Sequence, residues 1–145
     1  MGSWGTVDGI VEFPEGRRVR GRGLRRSSAN GPDPEFGVYL TGRAPNIADW
    51  PHRWVRWRDF QLPDSTTETL DALREAYERA VSERVEVACG GGIGRTGTAL
   101  SVLAVMSGVP AEDAVEWVRK HYHRKAVETR RQRHWLSEVS ASLRA

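Results

Sequence analysis

The chain has one cysteine, Cys89, in 145 residues. A lone cysteine cannot close an internal disulfide, which excludes a disulfide-stapled secreted fold and makes a cytoplasmic setting the default expectation. Lysine is almost as scarce: apart from Lys120 and Lys125, all 22 basic residues are arginine. Long apolar runs are missing. The longest, Ala99 to Met106, is broken by Ser101 and falls far short of the ~20 residues a membrane-spanning helix needs. The N-terminus lacks the charged-then-apolar start of a signal peptide, so no membrane insertion is expected. There is no internal repeat and no clear linker, and residues 1–145 are read as one domain, long enough to bury a core. His121, His123 and His134 have no partner at metal-ligand spacing, so neither metal nor other cofactor is expected.

The formal charge is +3. An arginine-rich, lysine-poor composition with abundant Ala, Gly and Val is what a GC-rich genome produces. Its functional counterpart is a positive surface that attracts anions. Six arginines fall between Arg17 and Arg26 with no acid among them. A solvated basic loop is the simpler account of this cluster, and a nucleic-acid contact is the alternative.

Apolar spacing outlines the elements. Val7 to Phe13 alternates and reads as a short strand, whereas Gly16 to Pro34 mixes Arg, Gly, Ser, Asn and Pro and reads as irregular. Phe36 to Thr41 and Trp54 to Trp57 have strand composition. Ser65 and Glu68 have capping-box spacing ahead of a helix whose inner face carries Leu70, Leu73, Ala76, Tyr77, Ala80 and Val81. Val85 to Ala88 is a strand that leads straight into Cys89. Helices follow over Thr96 to Ser107, Ala111 to His121 (Ala114, Val115, Trp117 and Val118 inward) and Arg130 to Leu143 (Trp135, Leu136 and Val139 inward). Trp50 and Trp54 are assigned to the core with Trp57, Trp117 and Trp135. Strands early and helices late predict an α/β fold, a small central sheet flanked by helices.

The chemistry concentrates in Cys89-Gly90-Gly91-Gly92-Ile93-Gly94-Arg95-Thr96, between a strand and a helix. Four glycines without Cβ let the backbone curl and aim successive N–H groups at one centre. The helix starting near Arg95 adds the positive end of its dipole there. Such a loop suits a tetrahedral dianion, and Arg95 supplies a two-pronged donor to two phosphoryl oxygens. The same dipoles favour the Cys89 thiolate, the attacking form. Thr96 is placed to donate its hydroxyl to that sulfur.

This segment resembles the C-x5-R-T/S signature of the protein tyrosine and dual-specificity phosphatases. Upstream, Trp57-Arg58-Asp59-Phe60-Gln61-Leu62-Pro63 is similar to the W-P-D-F-x-x-P general-acid loop of tyrosine phosphatases, and the order of the two loops also matches. The resemblance spans roughly Trp54 to Gln132. It implies a tyrosine-phosphatase-like fold and hydrolysis of phosphomonoesters through a phosphocysteine. In that scheme Cys89 is the nucleophile, and Arg95 with Gly90, Gly91, Gly92, Ile93 and Gly94 holds the phosphate. Asp59 is the general acid, with Asp64 as rival. Gln132 is implied to position water, although with Thr129 it also has capping-box spacing.

Two positions depart from the family pattern: Ala88 stands where histidine usually precedes the cysteine, and Arg58 where the acid loop usually has proline. The alternative from another class is a phosphate-binding module without turnover. Arsenate reductases and sulfur-transfer enzymes share C-x5-R, but a reductase cycle needs resolving thiols that this chain lacks. The resemblance implies a phosphorylated protein as substrate. A small phosphorylated metabolite, such as a nucleotide or sugar phosphate, is the alternative, with RNA 5′ phosphate and phosphoinositide behind it. Arginines 43, 53, 56 and 58 are the candidates to surround the pocket and favour a multiply charged compound.

Overall fold

Alternating strand faces and a central helix place Cys89. The computed structural model describes residues 3–25 and 31–143; Arg26 and the rest of the 26–30 part of the predicted irregular stretch lie outside these. Among the described residues the order is β1 (Ile10–Glu12), β2 (Arg18–Gly23), β3 (Phe36–Thr41), β4 (His52–Arg56), α1 (Thr66–Arg79), β5 (Val85–Cys89), α2 (Gly94–Met106), a 3-10 turn (Ala111–Asp113), α3 (Ala114–His121) and α4 (Arg130–Leu143). The strands form one five-stranded sheet in the order β1-β2-β5-β3-β4. β1 runs antiparallel to β2, and the remaining neighbours are parallel. This is the α/β fold the sequence predicts.

Side chains alternate across a strand, and β5 uses both faces. Val85, Val87 and Cys89 join the apolar core together with Val19, Val38 and Leu40. α1 covers β3 and β4, α2 covers β5 and β2, and α3 and α4 pack on α2. α2 is buried at every residue from Gly94 to Val105, which explains its apolar composition all round.

The opposite face carries Glu86, fully buried among donors. Its Oε1 accepts from Arg20 Nε (3.0 Å) and Nη2 (2.6 Å) and from Arg22 Nε (2.7 Å). Its Oε2 accepts from Arg22 Nη2 (3.1 Å) and the Tyr39 hydroxyl (2.7 Å), which in turn accepts from Trp50 Nε1 (2.7 Å). Burial pushes the Glu86 carboxyl up, but the Arg22 guanidinium, Tyr39 and Arg20 outweigh it and hold it below the usual carboxylate range. The Tyr39 phenol is pushed well up, by burial and by the Glu86 charge.

That cluster explains the main departure from the sequence expectation. The stretch from Gly16 to Pro34 is not irregular throughout: it contains β2, held between β1 and β5. Arg20 and Arg22 share a face toward Glu86, while Val19, Gly21 and Gly23 take the other. The strand's polar face is satisfied by a carboxylate more than sixty residues away, a partner that local patterning cannot show.

Smaller differences have local causes. β1 is confined to Ile10–Glu12, and β4 is shifted to His52–Arg56, leaving Trp57 in a bridge with Pro63. Ser65 caps α1 as expected, its Oγ accepting from Glu68 N at 3.1 Å. Val81 does not face inward; it is 67% exposed, because α1 ends at Arg79 and the chain leaves the helical register. The segment after Pro110 makes a 3-10 turn before α3 begins at Ala114. Trp54, assigned to the core, is 41% exposed, and Trp50 and Trp117 are half-buried. Trp135, Leu136 and Val139 of α4 are buried as expected. Among the described residues no helix is long and apolar enough to cross a membrane.

Candidate active site

In a parallel sheet the carboxyl ends of the strands open on one side, where ligands are bound. Four such ends meet here. β5 delivers Cys89 as its last residue, and the loop to α2 is clamped by the end of β2: Leu24 N donates to Cys89 O (2.8 Å) and Arg25 N to Gly90 O (3.0 Å). The Tyr122 hydroxyl donates to Gly92 O from the far side. Gly92 has φ +74°, and a Cβ there would lie 2.5 Å from Gly23 N, so the turn requires glycine. The resulting curl brings Gly92 N within 3.1 Å of Cys89 Sγ, and the Thr96 hydroxyl reaches the same sulfur at 3.0 Å. The sulfur thus accepts two hydrogen bonds in a buried position.

Arg95 is 5% exposed. Its Nη1 donates to Leu40 O at the end of β3 (3.1 Å) and to Trp57 O just past β4 (2.9 Å). Nη2 lies 3.6 Å from Asp59 Oδ1, and among the described residues Nε has no hydrogen-bond partner. Nη1 is anchored by the two carbonyls, Nη2 is shared with Asp59, and Nε is left for a ligand. A buried donor without a partner costs ~1–3 kcal/mol, a cost that two oxygens of a bound phosphoryl group would remove.

The loop from Trp57 to Pro63 is braced from behind. Trp57 is fully buried, its Nε1 donates to Gln61 O (2.7 Å), and its ring packs edge-on against Trp135. Phe60 takes φ +61° and stands 53% exposed. Asp59 thereby reaches the cleft. Asp64 instead pairs with Arg56 and Arg58, each at 3.6 Å, and is not on the cleft wall.

The cleft holds about 120 Å³ and is lined by Arg25, Asp59, Phe60, Cys89, Gly91, Ile93, Gly94, Arg95 and Glu128. Of the residues singled out from sequence, Cys89, Arg95, Thr96, Asp59 and the glycine loop come together. Gln132 is fully buried beside the cleft rather than on its wall. Its Oε1 accepts from Glu128 N (3.0 Å) and Thr129 N (3.2 Å), its own N–H bonds Thr129 Oγ1 (3.0 Å), and its Nε2 has no partner among the described residues. Arg53 pairs with Asp71 and Glu75, and none of arginines 43, 53, 56 and 58 lines the cleft.

Two wall residues were not legible. Arg25 was one of six arginines in a segment read as a basic loop. Glu128 enters because Gly94 has no Cβ; a Cβ there would collide with its carboxylate. Val127, at φ +63°, turns the chain for it and is held by Arg119, which donates to Ala126 O (2.8 Å) and Val127 O (2.9 Å). A β-branched residue in that region is strained, and strain of this kind has no sequence signal. Among the described residues no group of three or more His, Cys, Asp or Glu side chains could hold a metal ion.

The sequence model of the protein-tyrosine phosphatase family matches residues 40–141. The chain belongs to that family. Among solved structures, this family member is similar to the active form of Tk-PTP: 29% identity and TM-score 0.63, covering 75% of this chain and 80% of that one. A mutant form of Tk-PTP gives 28% and 0.65, covering 77% and 80%. Kinase associated phosphatase shares the fold at 20% identity and TM-score 0.63, covering 76% and 70%. Two uncharacterized proteins of Methanocaldococcus jannaschii are 38% identical over 90 residues and 37% over 98, or 61% and 63% of this chain. The chain spans only 58% and 59% of the length of these curated relatives.

Proposed function

We propose that this protein hydrolyses phosphomonoesters through a phosphocysteine intermediate, with residues 1–145 acting as one catalytic domain. The observation that carries the proposal is the pairing of a doubly hydrogen-bonded Cys89 sulfur with buried Arg95, whose Nε has no hydrogen-bond partner among the described residues and whose Nη2 faces Asp59. The sulfur attacks phosphorus while the loop N–H groups of Gly90 to Gly94 and the Arg95 guanidinium hold the three non-bridging oxygens. As the phosphorus–oxygen bond breaks, Asp59 gives its proton to the leaving oxygen. Water then attacks the phosphocysteine, its proton passes to the Asp59 carboxylate, and inorganic phosphate leaves. Thr96 stabilises the departing thiolate through its hydroxyl. Gln132 would help only through its unpartnered Nε2, the one donor its capping bonds leave for a water.

The family favours phosphotyrosine or phosphoserine/threonine on proteins as substrate, in the cytoplasm where the single thiol stays reduced. A small phosphorylated metabolite is the second reading, favoured by the small cleft and the arginine on its wall. Hydrolysis of p-nitrophenyl phosphate without added metal between pH 5 and 8, a range suited to a thiolate beside a protonated carboxyl, and abolished by Cys89→Ser, is the expected result. A protein that binds inorganic phosphate but shows no turnover in that range would be a binding module instead.

A further inference from the structure

We infer that Arg25 selects substrates that carry a second phosphate close to the one being hydrolysed; this rests on the phosphatase reading above and names its substrate class. Arg25 follows directly on β2, and its backbone N–H is fixed to Gly90 O. Its guanidinium therefore lies against the outer arm of the phosphate loop. A Cβ on Gly90 would lie 2.4 Å from Arg25 Nη1 and 3.2 Å from Arg95 Nη2, and one on Gly91 would lie 3.4 Å from Arg25 Nη2. Glycine at 90 thus admits two guanidinium groups to one side of the loop.

The two arginines are differently committed. Arg95 is buried and anchored by two carbonyls and Asp59. Arg25 is exposed and lines the cleft, with no hydrogen bond or ion pair to its side chain among the described residues. Its like-charged neighbour is a cost that an anion placed beside both removes. A phosphoryl group on Cys89 engages Arg95. The cleft is small, about 120 Å³, and a substrate larger than the phosphoryl group extends toward its rim. There Arg25 is an exposed donor on the cleft wall.

The closeness of the two guanidiniums sets the class. The second phosphate must be joined to the first through a few bonds, as on vicinal hydroxyls of one small molecule. In a peptide, neighbouring Cα atoms are about 3.8 Å apart and their side chains diverge to opposite faces, which holds two side-chain phosphates too far apart. A compact bisphosphate therefore fits better than a doubly phosphorylated peptide.

The test compares inositol 4,5-bisphosphate with inositol 4-phosphate, as a ratio within each protein so that general losses cancel. In the wild type, kcat/KM for the bisphosphate should exceed that for the monophosphate by about tenfold, one charge-assisted contact. The ratio should fall toward one in Arg25→Gln, stay partly raised in Arg25→Lys, and shrink at high salt. The Kd ratio in Cys89→Ser protein, measured calorimetrically, should follow the same order. A wild-type ratio near one, a ratio unchanged by Arg25→Gln, or a doubly phosphorylated peptide preferred over both inositols would overturn the assignment of Arg25. Absence of p-nitrophenyl phosphate turnover with the Kd discrimination intact would instead remove the catalytic proposal and leave Arg25 as the reader of the second phosphate.

Discussion

Replacing Glu86 by glutamine removes one buried charge while keeping size and shape. In the wild type that carboxylate is fully buried and takes five hydrogen bonds from Arg20, Arg22 and Tyr39 at 2.6 to 3.1 Å. Glutamine keeps one acceptor oxygen but turns an NH₂ toward groups that are themselves donors. Arg22, with a side chain 18% exposed, can relax toward water, whereas Arg20 at 4% cannot. Breaking a buried pair from one side costs ~3–5 kcal/mol. Against a total stability of about 5–15 kcal/mol, that is a large share. At roughly 3–4 °C per kcal/mol for a chain of this size, Tm should fall by about 10–20 °C. Urea unfolding followed by tryptophan fluorescence reads the difference directly. The folded-state carboxyl is held below its ordinary value, so its contribution is fully present above the unfolded value of ~4.3 and is lost as pH falls through the folded one. The gap between wild type and Glu86→Gln should stay constant from pH 7 to 5 and begin to narrow as pH falls below about 4. A loss under ~1 kcal/mol at pH 7, or a gap that widens on acidification, would refute the electrostatic account of how β2 is held to β5.

Three further outcomes follow from the site. Asp59→Asn should lower kcat/KM by ~10²–10⁴-fold for alkyl phosphates and far less for p-nitrophenyl phosphate, while Asp64→Asn, whose carboxylate is turned to Arg56 and Arg58, changes both little; the reverse pattern in a leaving-group series would reassign the acid. Gly92→Ala places a Cβ 2.5 Å from Gly23 N at φ +74°, so turnover should fall ~10²-fold through misplacement of the loop; wild-type kinetics would show that the curl does not depend on glycine. Mild peroxide should oxidise Cys89 beyond the thiol without an internal disulfide, since no second cysteine exists, and intact mass spectrometry of a protein that stays unmodified and fully active would argue against a reactive thiolate.

The sequence by itself is enough to locate the strand–loop–helix segment around Cys89. Strand, four-glycine loop, arginine and helix are contiguous, and contiguity makes backbone curl and dipole direction readable from residue types. The same holds for Ser65 capping α1 and for the inward stripe of α4, where the signal repeats every turn. The rest depends on contacts between residues far apart in the chain. β2 is paired between β1 and β5, and its Arg20 and Arg22 meet Glu86 across the sheet, a match of charges invisible to a window of ten residues. Asp59 and Asp64 are near neighbours, and the loop resemblance favours Asp59, but only the folded chain shows the turn at Phe60 that brings Asp59 to the cleft and the arginine pair that holds Asp64 outside. Arg25 and Glu128 reach the phosphate loop from opposite ends of the chain because Gly90 and Gly94 leave room for them. A glycine announces that space is available; which side chain fills it is settled only when the strands that carry them are packed.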